Sequence, residues 1–288
     1  MGVMTALEIG DKMNFFEKLI KTLSFSMETP KVFSLFHICF LVGFIVATVG
    51  ISLWLYKKPN DKAVRIFVAV CWGVMLLLEI YKQVSFSFAY DEITKTATWD
   101  YKWYSFPFQL CSSPFYIFPF VAFLKDCKVR NAFIAFACTF SFFGGFVVMV
   151  YPGAVFTAKA LINVQTMVHH SLQALCGIVL CVAYRKKLSW KCFATGLIVF
   201  AGMLSIAQFL NWFLPVVTGE SVAMFSLSWK IPCDLPVLNI VYANTPYFVF
   251  LLAYIAGFVA VATIVFSVIK LVLFISAKRR AAKGGVNA

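Results

Sequence analysis

The chain is a succession of long apolar runs joined by short polar connections. The runs cover roughly residues 33–56, 64–86, 104–124, 130–151, 165–185, 191–215 and 246–275. A helix needs about 20 apolar residues to cross the hydrocarbon core of a bilayer, and each run has that length. Strands would alternate in polarity and would have to close into a barrel, whereas these runs are continuously apolar. The expected fold is therefore all-α: a polytopic membrane protein, a bundle of seven transmembrane helices over residues 32–276 with no internal repeat. Within residues 1–31, Phe15, Phe16, Leu19, Ile20 and Leu23 recur at helical spacing. That segment is expected to be an amphipathic helix on the membrane surface or disordered, and it lacks the order of a secretory signal peptide. Residues 277–288 form a basic tail.

Composition agrees with the pattern, with 62% hydrophobic and only 13% charged residues. Charge then orients the bundle. The first, third and fifth connections and the tail carry Lys57, Lys58, Lys62, Arg65, Lys125, Lys128, Arg130, Arg185, Lys186, Lys187, Lys191, Lys278, Arg279, Arg280 and Lys283; the other connections hold only Lys95, Lys102, Lys159 and Lys230. Basic residues are retained on the cytoplasmic side, which places the N-terminus outside and the C-terminus in the cytoplasm. The net charge of +13 is concentrated beside span ends, so anionic lipid headgroups, not nucleic acid, are the expected partners of these loops. The expected location is the cell membrane in a bacterium, or otherwise an endomembrane.

Most of the nine cysteines fall within or beside apolar runs, where a free thiol behaves as a small hydrophobe. Cys233 lies in the long outer connection, without a second outer-loop cysteine to pair with. No zinc-ligand spacing occurs, and neither a metal nor another cofactor is expected.

Depth singles out a different set of residues. With a rise of 1.5 Å per residue, Cys111 lies about 10 Å below the outer end of the third run and the pair His169-His170 about 7 Å below that of the fifth. Glu79 in the second run and Asn211 in the sixth lie within about 10 Å of the same boundary. An intramembrane carboxylate is expected to face the bundle interior and to be paired. Lys82, one turn after Glu79, suits a self-neutralising pair with the lysine reaching outward, while the alternative is a carboxylate that orients a histidine. Gln83 on the same face either links Glu79 to a neighbouring helix or meets headgroup water. Pro107, Pro114 and Pro119 predict a distorted third span, whose irregular backbone has to face protein or a water-filled cavity. Adjacent helical positions diverge by about 100°, so only one histidine of the pair can face Cys111. His37, near the outer start of the first span, is expected to be structural.

The segments Phe106-Pro107-Phe108-Gln109-Leu110-Cys111 and Gln165-Thr166-Met167-Val168-His169-His170-Ser171 resemble two motifs of the YwaF-like integral membrane proteins, Leu-Pro-Leu-His-Leu-Cys and Gln-x-x-x-Ser-His-Gly. That family is similar to the eukaryotic acyltransferase that loads arachidonoyl chains onto ether phospholipids, and more distantly to membrane hydrolases of fatty-acid esters of hydroxy fatty acids. The resemblance spans roughly the second to seventh runs and aligns His170 with the family's histidine. Glu79, Tyr151-Pro152, Asn211 and Pro246-Tyr247 match further family features more loosely. Gln109, His169 and Ser171 stand where the family has histidine, serine and glycine.

The resemblance implies acyl chemistry, with Cys111 as nucleophile, His170 as general base, and phospholipids and lysophospholipids as substrates. Glu79, Gln109, Gln165, His169, Asn211 and Tyr247 are the supporting or substrate-binding candidates. The residues themselves fit an activated-thiol scheme through an acyl-thioester, which water would turn into ester hydrolysis. The alternative from another class is a seven-helix transporter or receptor for a lipid-like ligand. The chain lacks Asp-Arg-Tyr at the inner end of the third span and Asn-Pro-x-x-Tyr in the seventh.

Overall fold

The computed structural model describes residues 13–58 and 60–284. The helices in chain order are α1 (Phe15–Leu23), α2 (Leu35–Lys57), α3 (Asp61–Ser87), α4 (Ser113–Phe123), α5 (Lys128–Phe136), α6 (Phe142–Val150), α7 (Ala160–Ala183), α8 (Trp190–Thr218), α9 (Leu238–Asn244) and α10 (Tyr247–Gly284). A π-helical turn, Ala137–Ser141, joins α5 to α6, making one span from Lys128 to Val150. Among the described residues, six helices are long and apolar enough to cross a membrane: α2, α3, α5–α6, α7, α8 and α10. The chain is thus an all-α, multi-pass membrane protein. The basic connections gather at one end, here the basic end, where Arg130 reaches Asp61 and Tyr184 and Lys187 reaches Asp126.

The run at 104–124 takes a different form. It consists of 3₁₀ turns at Trp103–Ser105 and Leu110–Ser112 followed by the eleven residues of α4, about 16 Å of helix. Proline explains the late start, since Pro114 has no N–H to give and occupies the first turn of α4, where none is required. Pro119 lies inside α4 and frees the carbonyl of Phe115, which accepts a bond of 3.2 Å from Trp72 Nε1 on α3. At the other end of α4, Arg130 Nε donates to the Val121 carbonyl (2.8 Å) and Arg65 Nε to that of Ala122 (2.7 Å). Side chains from α3 and α5 thus satisfy the backbone groups that a short helix inside a bundle leaves open.

Helix α7 is the axis of the bundle, packed by α2, α3 and α6. Two glycines set its distance from the α5–α6 span. A Cβ at Gly145 would stand 2.9 Å from both the His170 carbonyl and the Ala174 nitrogen, and one at Gly177 would stand 2.6 Å from Phe142 Cβ. Small residues permit this close backbone approach.

At the other end, α1 begins with an Asn14–Glu17 capping box and rests on a two-stranded hairpin, β1 (Phe88–Tyr90) and β2 (Ala97–Trp99), through an edge contact between Phe16 and Phe88. Along α1, Phe15 is largely exposed and Ile20 is buried; residues 1–12 lie outside the described ones. Helix α10 continues without a break past residue 276 to Gly284, as the helix-favouring Ala, Lys and Arg there allow.

Candidate functional site

Cys111 sits in the 3₁₀ turn Leu110–Ser112, immediately before α4, so the short helix presents its N-terminal end to this residue. The field of a helix N-terminus favours a thiolate. Starting α4 at Ser113 instead of near Pro107 brings Cys111 closer to that end than a continuous span would. The thiol is half-buried and free.

Helix α7 supplies both histidines, and they take different partners. His169 Nε2 lies 2.8 Å from the Cys111 carbonyl and must donate, which leaves Nδ1 as the unprotonated nitrogen; that atom is buried and has no partner. His170 Nδ1 lies 2.7 Å from the Thr166 carbonyl, so it too must donate, leaving the lone pair on Nε2. The rings meet edge to face with centroids 5.2 Å apart, and Phe115 packs on His169. His169, not His170, is therefore the histidine that touches the Cys111 peptide. Neither ring is hydrogen-bonded to the thiol.

Glu79 is buried and takes up the local pairing open to it. Its Oε1 accepts from Lys82 Nζ at 2.9 Å and from Gln83 Nε2 at 2.6 Å. Gln83 also donates to the Ser105 carbonyl (2.9 Å) and accepts from Tyr101 Oη (2.8 Å), which ties α3 to the segment leading into Cys111. No bond joins Glu79 to a histidine. Lys82, expected to reach outward, keeps only 19% of its side chain exposed where it meets Glu79. Ser105 Oγ, Ser113 Oγ and Gln173 Oε1 are buried without partners in the same region. Gln173 went unread in the sequence, although it lies one turn beyond His169 and His170 on α7 and its Nε2 donates to the Ser141 carbonyl at 2.9 Å.

The other candidates serve the loop after α8, at the end opposite the basic one. Gln109 Nε2 donates to the Ala223 carbonyl (2.9 Å). Asn211 accepts from the Met224 amide at 2.6 Å and donates to the carbonyls of Met224 and Leu227. These bonds, with Tyr254 Oη on the Phe225 carbonyl, fold Val222–Leu227 into the bundle as a plug in which Phe225 packs against Phe108. Phe225 and Ser226 both adopt positive φ, a strained pairing that the bonds hold in place. Tyr247 Oη accepts from Gln208 (2.6 Å) and its ring meets Trp229, so it supports the α8–α10 contact and not Cys111. Gln165 is buried with a contact of 3.4 Å to Thr166. His37 is wholly buried, bonded to the Phe33 amide (3.0 Å) and the Met149 carbonyl (2.8 Å), and is structural. Among the described residues no group of His, Cys, Asp and Glu could hold a metal ion.

The chain belongs to the TMEM164 family, which it matches over residues 32–277. No curated protein and no solved structure matches it.

Proposed function

We propose that this member of the TMEM164 family is a membrane-embedded acyltransferase that moves a fatty acyl chain between phospholipids through an acyl-thioester on Cys111, with His170 as general base. The reading includes α4 and the turns before it as a seventh crossing, the N-terminus outside, and the resemblance of Phe106–Cys111 and Gln165–Ser171 to the YwaF-like proteins. One observation carries it: the bond between His169 and the Cys111 carbonyl brings α7 against the helix-opening cysteine, and the adjacent His170 has its lone pair on Nε2.

His170 Nε2 takes the thiol proton and the sulfur attacks the ester carbonyl of a phospholipid. The C–O bond breaks, the leaving lysophospholipid oxygen takes the proton back from His170, and the acyl group remains on sulfur. The hydroxyl of a second lysophospholipid then gives its proton to His170 and attacks the thioester, releasing the thiolate. Asn211 is committed to the plug through both amide hydrogens, so the tetrahedral oxyanion falls to backbone N–H groups at the start of α4 or to the second amide hydrogen of Gln109. Substrate binding has to complete the contact between thiol and imidazole.

The test is mass spectrometry of the purified protein with mixed phospholipids and lysophospholipids. A hydroxylamine-sensitive acyl group on Cys111 and a transferred chain on the lysophospholipid are expected; Cys111→Ala removes both, and His170→Ala lowers transfer by about 10²–10⁴-fold. Transfer that survives Cys111→Ala overturns the proposal, and a chain released only as free fatty acid makes the protein a hydrolase.

A further inference from the structure

An apolar cavity of about 340 Å³ lies between α7 and α10, toward the basic end of the bundle. Ile178, Cys181 and Val182 line one side, Val268 and Val272 the other, and Phe142 on α6 closes it from within. From His169, which touches the Cys111 peptide, to Val182 is thirteen residues of α7, about 20 Å along the axis, so this cavity belongs to the opposite half of the membrane. Its walls are stretches of two membrane-crossing helices, which gives it the environment of an acyl chain.

The rim beside it is cationic. Arg185 Nη1 donates to the carbonyl of Val182, a wall residue, at 2.8 Å, and its guanidinium lies over the Tyr56 ring. On α10, Arg279 follows Val272 by seven residues, two turns along the same face, and is exposed. Among the described residues no carboxylate pairs with either arginine, whereas Lys187 in the same connection as Arg185 is paired with Asp126 at 2.5 Å. Apolar walls ending in uncompensated guanidinium groups at headgroup level match a lipid with a negative headgroup.

We infer that this cavity binds an anionic phospholipid of the leaflet at the basic end, with one acyl chain between α7 and α10 and the phosphate between Arg185 and Arg279. The site is separate from the Cys111 chemistry and does not depend on it.

Photo-crosslinking of the full chain tests the inference, in phosphatidylcholine vesicles containing phosphatidylglycerol with a diazirine in its acyl chain. Labelled peptides are expected to map to residues 178–182 and 264–273, with competition by unlabelled phosphatidylglycerol and not by added phosphatidylcholine. Arg185→Gln and Arg279→Gln should each weaken that competition about fivefold, the effect of one basic residue at an anionic membrane surface. Val268→Trp, which fills the cavity, should remove the label without lowering the unfolding temperature. Equal labelling by diazirine phosphatidylcholine, labelling spread evenly over all lipid-facing helices, or competition unchanged in both arginine variants would overturn it.

Discussion

The two ends of the bundle each bury a polar cluster, and the clusters are built on opposite principles. At the basic end Arg130 is wholly buried, yet Nη1 and Nη2 reach Asp61 Oδ1 at 3.2 Å, Nη2 reaches Tyr184 Oη at 2.5 Å, and Nε holds Val121. Tyr184 in turn donates to Asp61 at 2.6 Å, and burial together with that carboxylate pushes its phenol pKa up, so it stays protonated and keeps donating. The cluster joins α3, α4, α5 and the end of α7, and each of its three side chains is bonded to the others. Around Cys111, by contrast, Ser105 Oγ, Ser113 Oγ, His169 Nδ1 and Gln173 Oε1 are buried with no partner. A buried polar atom left in that state costs about 1–3 kcal/mol. The first arrangement stabilises the fold; the second costs stability beside a cysteine, as functional sites commonly do.

The comparison is sharpest where charge is removed. Asp61→Ala strips the fully buried Arg130 of its counter-charge, and losing one partner of a buried pair costs about 3–5 kcal/mol. The expected loss is near the low end, about 3 kcal/mol, because Asp61 is half exposed and Tyr184 Oη remains. Thermal unfolding in detergent should show it, while the alkylation rate of Cys111 in the folded protein stays unchanged. A variant as stable as the parent would remove the clamp role of the basic end.

The plug over the end opposite the basic one comes next. Asn211→Ala leaves the Met224 amide and two loop carbonyls without their partner, at a cost of about 2–3 kcal/mol. Phe225 and Ser226 lose the bonds that hold their strained backbone, so Val222–Leu227 should loosen and Cys111 should react faster with a bulky maleimide. An unchanged rate would mean that the plug does not limit access to the cysteine.

How much of this could be read from the chain depends on what each feature rests on. Six long helices were legible because length and continuous apolarity are properties of sequence, and the runs 33–56 and 191–215 differ little from Leu35–Lys57 and Trp190–Thr218. The run at 104–124 reads the same on average hydropathy, but Pro107 and Pro114 act on the backbone and delay the helix to Ser113. The Glu79–Lys82 pair followed from i, i+3 spacing and the interior placement of Glu79 from the cost of a charge in hydrocarbon; the end of the Gln83 link on the Ser105 carbonyl did not, because it is a tertiary contact. The partner of His37 is a backbone carbonyl more than a hundred residues away, which composition does not encode. The plug had a signal, the apolar Val222, Met224, Phe225 and Leu227 in a connection otherwise expected to face water.

His169 separates stability from chemistry at the Cys111 end. His169→Ala deletes the bond to the Cys111 carbonyl together with the unpartnered Nδ1 and empties the ring's place against Phe115 and His170, so the net loss of unfolding free energy should be about 2 kcal/mol. Cys111 alkylation and acyl-thioester formation should also fall, because the cysteine peptide is no longer fixed to α7. His169→Gln, which places an amide N–H near the position of Nε2, should recover most of both. Equal loss in the Ala and Gln variants would point to the imidazole lone pair instead of the donated bond.

The smallest effect has the opposite sign. Ser113 is completely buried in the first turn of α4, and its hydroxyl has no partner. Ser113→Ala removes a desolvated group without opening a cavity, and alanine is the better helix former, so stability should rise by up to about 1 kcal/mol. At the basic end no truncation within the Asp61–Arg130–Tyr184 cluster can have that sign, since each side chain there satisfies another. If the Ser113 hydroxyl is retained for the chemistry at Cys111, the more stable variant should also transfer acyl groups more slowly, measured at matched amounts of folded protein. A Ser113→Ala protein that unfolds earlier would mean that the hydroxyl is satisfied after all, and the contrast between the two ends would then rest on Ser105, His169 and Gln173.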